Sequence, residues 1–266
     1  MERLSDQASQ ALAATPSALS ASGITTPEEW QLRVNLAACY RLCALQGWDD
    51  GIYTHISAAI PGQPGHYLIN PFGQHFSEIK ASSLVKINAL GEVVGVSGHT
   101  VNKAGFALHA TVHAARPGVE CVMHLHNVDG IAVGAQAQGL LPLSAHALRF
   151  YQQLGYHHYE GLAMTPQEQA RLVERLAQKP AMLMRNHGTL VCGRTVAEAY
   201  VLMETLDKAC AVQLKAQTGG AALHMPPAET CLKAHQQLVG DGAPEGALEW
   251  PALLRKLDRI NPDYRT

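Results

Sequence analysis

The chain has no excess of charge of either sign: 20 Lys and Arg stand against 22 Asp and Glu over 266 residues, a formal net charge of −2. With neither a basic stripe nor a polybasic patch, no nucleic acid and no membrane partner is expected. No apolar run reaches the roughly 18–20 residues that span a bilayer. The N-terminus, Met1-Glu2-Arg3-Leu4-Ser5-Asp6, leads into Ala, Ser, Thr and Pro without the apolar core of a signal peptide, so a cytoplasmic protein is expected. Cys-x-x-Cys is absent, and Cys39, Cys43, Cys121, Cys192, Cys210 and Cys231 read as reduced, buried small hydrophobes. Neither Gly-x-Gly-x-x-Gly after a strand nor Gly-x-x-x-x-Gly-Lys-Ser/Thr occurs, which sets aside dinucleotide and P-loop chemistry. Aromatics are scarce at 6%, but 47% hydrophobic residues suffice for the core of one or at most two globular domains. What the chain has in excess is histidine. Of fourteen, eight lie between His99 and His158, and histidine is the commonest metal ligand and acid–base side chain.

Helix starts are the clearest local signals. Thr26-Pro27-Glu28-Glu29, Thr165-Pro166-Gln167-Glu168 and Thr195-Val196-Ala197-Glu198 each combine an N-cap hydroxyl with an acid three residues on. They predict helices from 27 to a stop at Gly47, over 166–178 and over 196–216. Between them, short alternating or buried runs predict strands at Thr54–Ile60, His66–Ile69, Leu84–Asn88, Val93–Val96, Val119–His126, Ala181–Met184 and Thr189–Cys192, with a turn at Asn88-Ala89-Leu90-Gly91. The order implies a layered α/β fold with much of its sheet antiparallel. Residues 1–25 read as a flexible N-terminal tail, 26–220 as the main domain, and 221–266 as a C-terminal helical extension with helices at Ala228–Leu238 and Ala247–Leu257.

The chemistry starts at Val122-Met123-His124-Leu125-His126. On a strand, His124 and His126 share one face while Met123 and Leu125 enter the opposite apolar layer, so two imidazoles can reach one ion. Alone, such a pair is more often packed against backbone carbonyls than bound to metal. A third histidine, in Arg185-Asn186-His187-Gly188, follows the apolar strand Ala181–Met184 in a loop whose glycine permits an unusual backbone angle. Three neutral imidazoles with an open position describe a catalytic site, with Zn2+ the first choice and Fe2+ or Mn2+ compatible. His109 and His113 have the i, i+4 spacing of a zincin helix but Ala110 where its glutamate belongs, and they read as packing.

At these residues the sequence resembles the class II aldolase/adducin superfamily. The segments are Gly47-Trp48, Thr54-His55-Ile56-Ser57, Asn70-Pro71-Phe72-Gly73, Ser77 through Ile87, Gly105 through Pro117, His124-x-His126, Leu140 through Ser144 and Arg185 through Gly188, in order over about residues 30–217. The nearest likeness is to adducin head domains and their bacterial relatives. The resemblance implies a three-layer α/β/α sandwich with a mostly antiparallel central sheet, commonly a homotetramer, and makes His124, His126 and His187 the zinc ligands. It also implies a lyase whose metal stabilises the enediolate formed as a C–C bond breaks.

One departure is chemical. Where the aldolases carry Ser-Ser-Glu, with the glutamate as acid/base, this chain has Lys103-Ala104-Gly105, and glycine carries no proton. Replacement candidates in segments that the family puts near the pocket are His55, His109, Tyr156 and His157, with His146 and Tyr151 behind them. Ser57, Asn70, Gly73 and Lys103 are the candidate substrate contacts, in phosphate loops only partly kept. The expectation is a metal-dependent lyase for a small hydroxy-carbonyl or sugar-derived substrate. The alternative is a non-catalytic, adducin-head-like binding module that retains the metal site. Actin binding is not expected, because adducin's basic tail has no counterpart here.

Overall fold

The computed structural model describes residues 25–161 and 165–266, so residues 1–24 of the expected tail lie outside the described residues. Helix α1, Pro27–Gln46, begins where the Thr26 hydroxyl accepts from the Glu29 amide and stops at Gly47, which adopts left-handed φ. A sheet of seven strands follows: β1 His55–Ala59, β2 His66–Ile69, β3 Val85–Asn88, β4 Cys121–Leu125, β5 Leu154–His157, β6 Ala181–Met184 and β7 Gly188–Gly193. The remaining helices are α2 Lys103–Ala115, α3 Val128–Ala135, α4 Ala145–Leu148, α5 Pro166–Leu176, α6 Val196–Gln217, α7 Ala228–Val239 and α8 Glu249–Ile260. No described helix is long and apolar enough to cross a membrane.

The strand order is β3-β2-β1-β4-β7-β6-β5. The sheet is mixed: five pairings are antiparallel and one, β5 with β6, is parallel. A parallel pair needs a crossover, and α5 supplies it between β5 and β6. Alternation along the strands divides the core. Ile56, Met123, Leu125 and Val191 pack on one face against Tyr40, Leu206 and Trp250 of α1, α6 and α8. Val122, Met182, Leu190 and Cys192 pack on the other against Leu108 and Val112 of α2 and Leu172 and Leu176 of α5. All six cysteines are buried and unpaired.

Two elements depart from the expectation. Val93–Val96 forms no strand; Val93 makes an isolated bridge to Ile87 and Val96 is fully exposed, because β3 is the edge strand of the sheet among the described residues. β5 was not expected at all, since Leu154-Gly155-Tyr156-His157 shows no alternation.

Candidate metal centre

The sheet register builds the centre. His55 on β1 pairs with His124 on β4, and Leu125 pairs with Thr189 on β7, so the ends of three adjacent strands meet at one point. His124 lies on the α2 face, His126 just past the end of β4, and His187 in the β6–β7 turn. One ring nitrogen from each lies within 4.8 Å of the other two. The turn is tight for a different reason from the one its glycine suggests. Asn186 takes the left-handed φ of 59°. Gly188 is there for close approach: a Cβ would sit 2.5 Å from the Leu125 carbonyl oxygen, 3.0 Å from His126 Cδ2 and 3.2 Å from His124 Cε1.

Each of two rings is fixed by its other nitrogen. His124 Nδ1–H donates to the Thr189 carbonyl at 3.0 Å, and His126 Nδ1–H donates to Asp50 Oδ2 at 2.8 Å. Thr189 is itself held, its hydroxyl donating to Asn127 at 2.6 Å and Asn127 to Asp207 at 2.6 Å. These bonds leave Nε2 of both histidines as lone pairs, the arrangement that orients metal-binding imidazoles. His126 Nε2 is buried with no hydrogen-bond partner. A buried orphan of this kind costs on the order of 1–3 kcal/mol unless something binds it. Burial, then the neighbouring imidazoles, pushes His124 well below the ordinary histidine range and His187 down to about 4, so both are neutral at physiological pH. The donor set therefore fits a divalent ion.

The centre opens into a cleft of about 360 Å³ lined by Asp50, Tyr53, Thr54, His55, Gly105 and Leu108 with the three histidines. Among the described residues no Lys or Arg lines it. A larger cleft of about 490 Å³ lies elsewhere, and its arginines are already engaged: Arg116 with the Lys179 carbonyl, Arg149 with Glu245, Arg194 with Glu198. The three convergent imidazoles line the smaller cleft.

A model of the class II aldolase and adducin N-terminal domain matches residues 34–214. The chain belongs to that family. Among its relatives is a Pseudomonas aeruginosa protein provisionally named an aldolase class 2 protein, 50% identical over 89% of this chain and 93% of its own. Rat alpha-adducin is 38% identical over 88% of this chain, which spans only 34% of the adducin. Among solved structures, an aldolase II superfamily protein of Pseudomonas syringae superposes with TM-score 0.89 at 45% identity, covering 93% of this chain and all of the other. L-Fuculose 1-phosphate aldolase of Glaciozyma antarctica gives TM-score 0.79 at 25% identity, covering 96% and 98%.

The other sequence-named residues separate clearly. His55 lines the cleft, and His109 stands behind it, its Nε2 3.3 Å from His55 Nδ1. Ser57 faces inward, 2.8 Å from His109 Nδ1 and 2.9 Å from His113 Nε2, so its hydroxyl is committed to histidines. Asn70 is buried and accepts from the Tyr40 hydroxyl at 3.0 Å, while Gly73 and Lys103 are exposed and outside the cleft lining. The Tyr156 oxygen accepts from the Leu140 amide at 2.9 Å and its ring lies under Arg185. His157 lies 3.4 Å from Glu168, on the far side of β6 from the trio. His146 is exposed, and Tyr151 lines a separate small cavity with Tyr156. Sequence reasoning missed Asp50, Thr189 and Tyr159, whose ring stands 5.7 Å from His187 edge to face. A carboxylate 76 residues before its histidine carries no local signal.

Proposed function

We propose that the chain is a divalent-metal-dependent lyase of the class II aldolase type, acting on a small hydroxy-carbonyl or sugar-derived substrate, with His124, His126 and His187 holding Zn2+. The observation that carries this reading is the unpartnered, buried His126 Nε2 converging with two further imidazole nitrogens beside an open cleft. A bound ion would supply Lewis-acid stabilisation of the negative charge that develops on a carbonyl oxygen as a C–C bond breaks. Around it, Asp50 and the Thr189 carbonyl orient the ligand rings, and Leu108 of α2, packed in the core beneath, gives the cleft an apolar wall that excludes water from one side of the substrate. A homotetramer in the cytoplasm belongs to the same proposal, and light scattering of the purified protein checks the assembly.

Gly105 favours a second reading, a non-catalytic adducin-head-like module that keeps the metal site. Turnover separates the two. Zinc-loaded protein is assayed for retro-aldol cleavage and decarboxylation across free and phosphorylated sugars and sugar acids. Activity that is lost on chelation and returns with zinc supports the lyase; full zinc occupancy without turnover on any member of the panel supports the module.

A further inference from the structure

Position 105 is empty only in the sequence. In space it is filled: a Cβ built on Gly105 would lie 2.1 Å from His55 Nε2 and 2.4 Å from Cε1. The imidazole of β1 thus stands where a side chain from the first turn of α2 would project, in the cleft lining beside the histidine trio, its ring centroid 6.0 Å from that of His124. The residue before it is unusual. Thr54 holds φ of 68°, a region costly for a β-branched side chain, and its buried hydroxyl has no partner. Backbone strain and an orphan hydroxyl beside the ring that fills the gap are signs of a ligand site.

A chain of hydrogen bonds sets the polarity of that ring. It ends at the Val119 carbonyl, which only accepts, so His113 donates to it through Nδ1–H at 3.1 Å. Burial keeps His113 and His109 neutral. His113 Nε2 is therefore an acceptor, and Ser57 must donate its one hydroxyl proton there at 2.9 Å. Ser57 Oγ then accepts from His109 Nδ1–H at 2.8 Å, and His109 Nε2 accepts from His55 Nδ1–H at 3.3 Å. Four bonds in series leave a single free group, the Nε2 lone pair of His55, on a ring that lines the cleft.

We propose that His55 takes the place of the side chain that position 105 lacks, and that its Nε2 is the acceptor that positions and selects a substrate hydroxyl next to the metal ligands. This rests on the reading of the cleft as a hydroxy-carbonyl site. His109, Ser57 and His113 are positioning residues that fix the tautomer.

Two measurements decide it. In protein carrying 15N-labelled histidine, long-range proton–nitrogen correlation should show His55, His109 and His113 all protonated at Nδ1; a proton on His55 Nε2 overturns the proposal. Calorimetry of zinc-loaded protein then compares glycolohydroxamate, which has a carbon-bound hydroxyl beside its hydroxamate group, with acetohydroxamate, which has only the hydroxamate. His55→Ala should weaken glycolohydroxamate by about three- to tenfold, leave acetohydroxamate and zinc binding unchanged, and be largely rescued by His55→Gln. Equal losses for both probes overturn the proposal, whereas a wild-type chain that takes up no zinc overturns the lyase reading instead. A size swap needs no ligand. Gly105→Ala should lower the Tm by about 3 °C or more although alanine ordinarily favours a helix, and adding His55→Ala should restore it. A Gly105→Ala protein as stable as wild type places the ring elsewhere and overturns the proposal.

Discussion

Gly188→Ala is the most direct test of how the strands shape the metal centre. The added Cβ would meet the Leu125 carbonyl oxygen at 2.5 Å, roughly 0.9 Å inside ordinary van der Waals contact, with two ligand rings behind it at 3.0 and 3.2 Å. That oxygen cannot step aside, because β4 is paired on both edges, with β1 and with β7. The start of β7 must therefore move away from β4, carrying His187 with it and separating it from His124 and His126. Overpacking of this kind costs about 1–3 kcal/mol, which for a chain of this length lowers Tm by roughly 2–10 °C. A displacement near 1 Å is several times the tolerance of a zinc–imidazole bond, so zinc affinity should fall by about tenfold or more. Thermal denaturation with and without zinc, and calorimetric zinc titration, measure both effects. Gly118→Ala is the control, since its Cβ would meet nothing within 4 Å and its φ is not in the left-handed region. A Gly188→Ala protein with wild-type Tm and zinc affinity would refute the claim that close approach of β7 to β4 sets the spacing of the trio.

Other expectations follow from named bonds. Asp50→Asn keeps the shape but removes the charge facing His126, and zinc affinity should drop by about tenfold in calorimetry. Tyr40→Phe leaves the buried Ile56 and Asn70 amides without their shared acceptor, at a cost of about 1–3 kcal/mol each, read as a lowered urea midpoint. Burial holds His55 and His113 down to about 4, against about 6.5 in an unfolded chain. The unfolded state then binds more protons between those values, so metal-free stability is level above pH 6.5 and declines as pH falls toward 4, by roughly 2 kcal/mol per histidine at pH 5. Urea midpoints in chelator at pH 7.5 and 5 check this, and equal midpoints would contradict it.

The trio was legible because its information is local. A His-x-His pair on a strand puts both rings on one face whatever the rest of the chain does, and the apolar strand before His187 marks its loop. Capping chemistry likewise located α1, α5 and α6 within a residue or two at either end. What stayed hidden depends on register and on packing between distant segments. The His55–His109–Ser57–His113 chain exists only because β1 pairs with β4 in one register and α2 lies across both. From sequence, His109 and His113 read as a packed i, i+4 pair, with His109 also a candidate proton carrier; both are buried, and their hydrogen bonds give that burial a direction. Gly105 looked like a loss until the ring filling its space was seen. Gly188 was assigned a backbone-angle role that belongs to Asn186, because a glycine demanded by a neighbouring carbonyl and one demanded by φ look the same in sequence.

The central claim is that His124, His126 and His187 form one divalent-metal site, and elemental analysis of the purified chain after equilibration with zinc tests it most directly. One tightly held zinc per chain is expected, reduced to none by His124→Ala or His126→Ala, with a Tm that falls when a chelator strips the wild type. A folded wild-type chain that retains no divalent ion, or one whose zinc survives both substitutions, would contradict it.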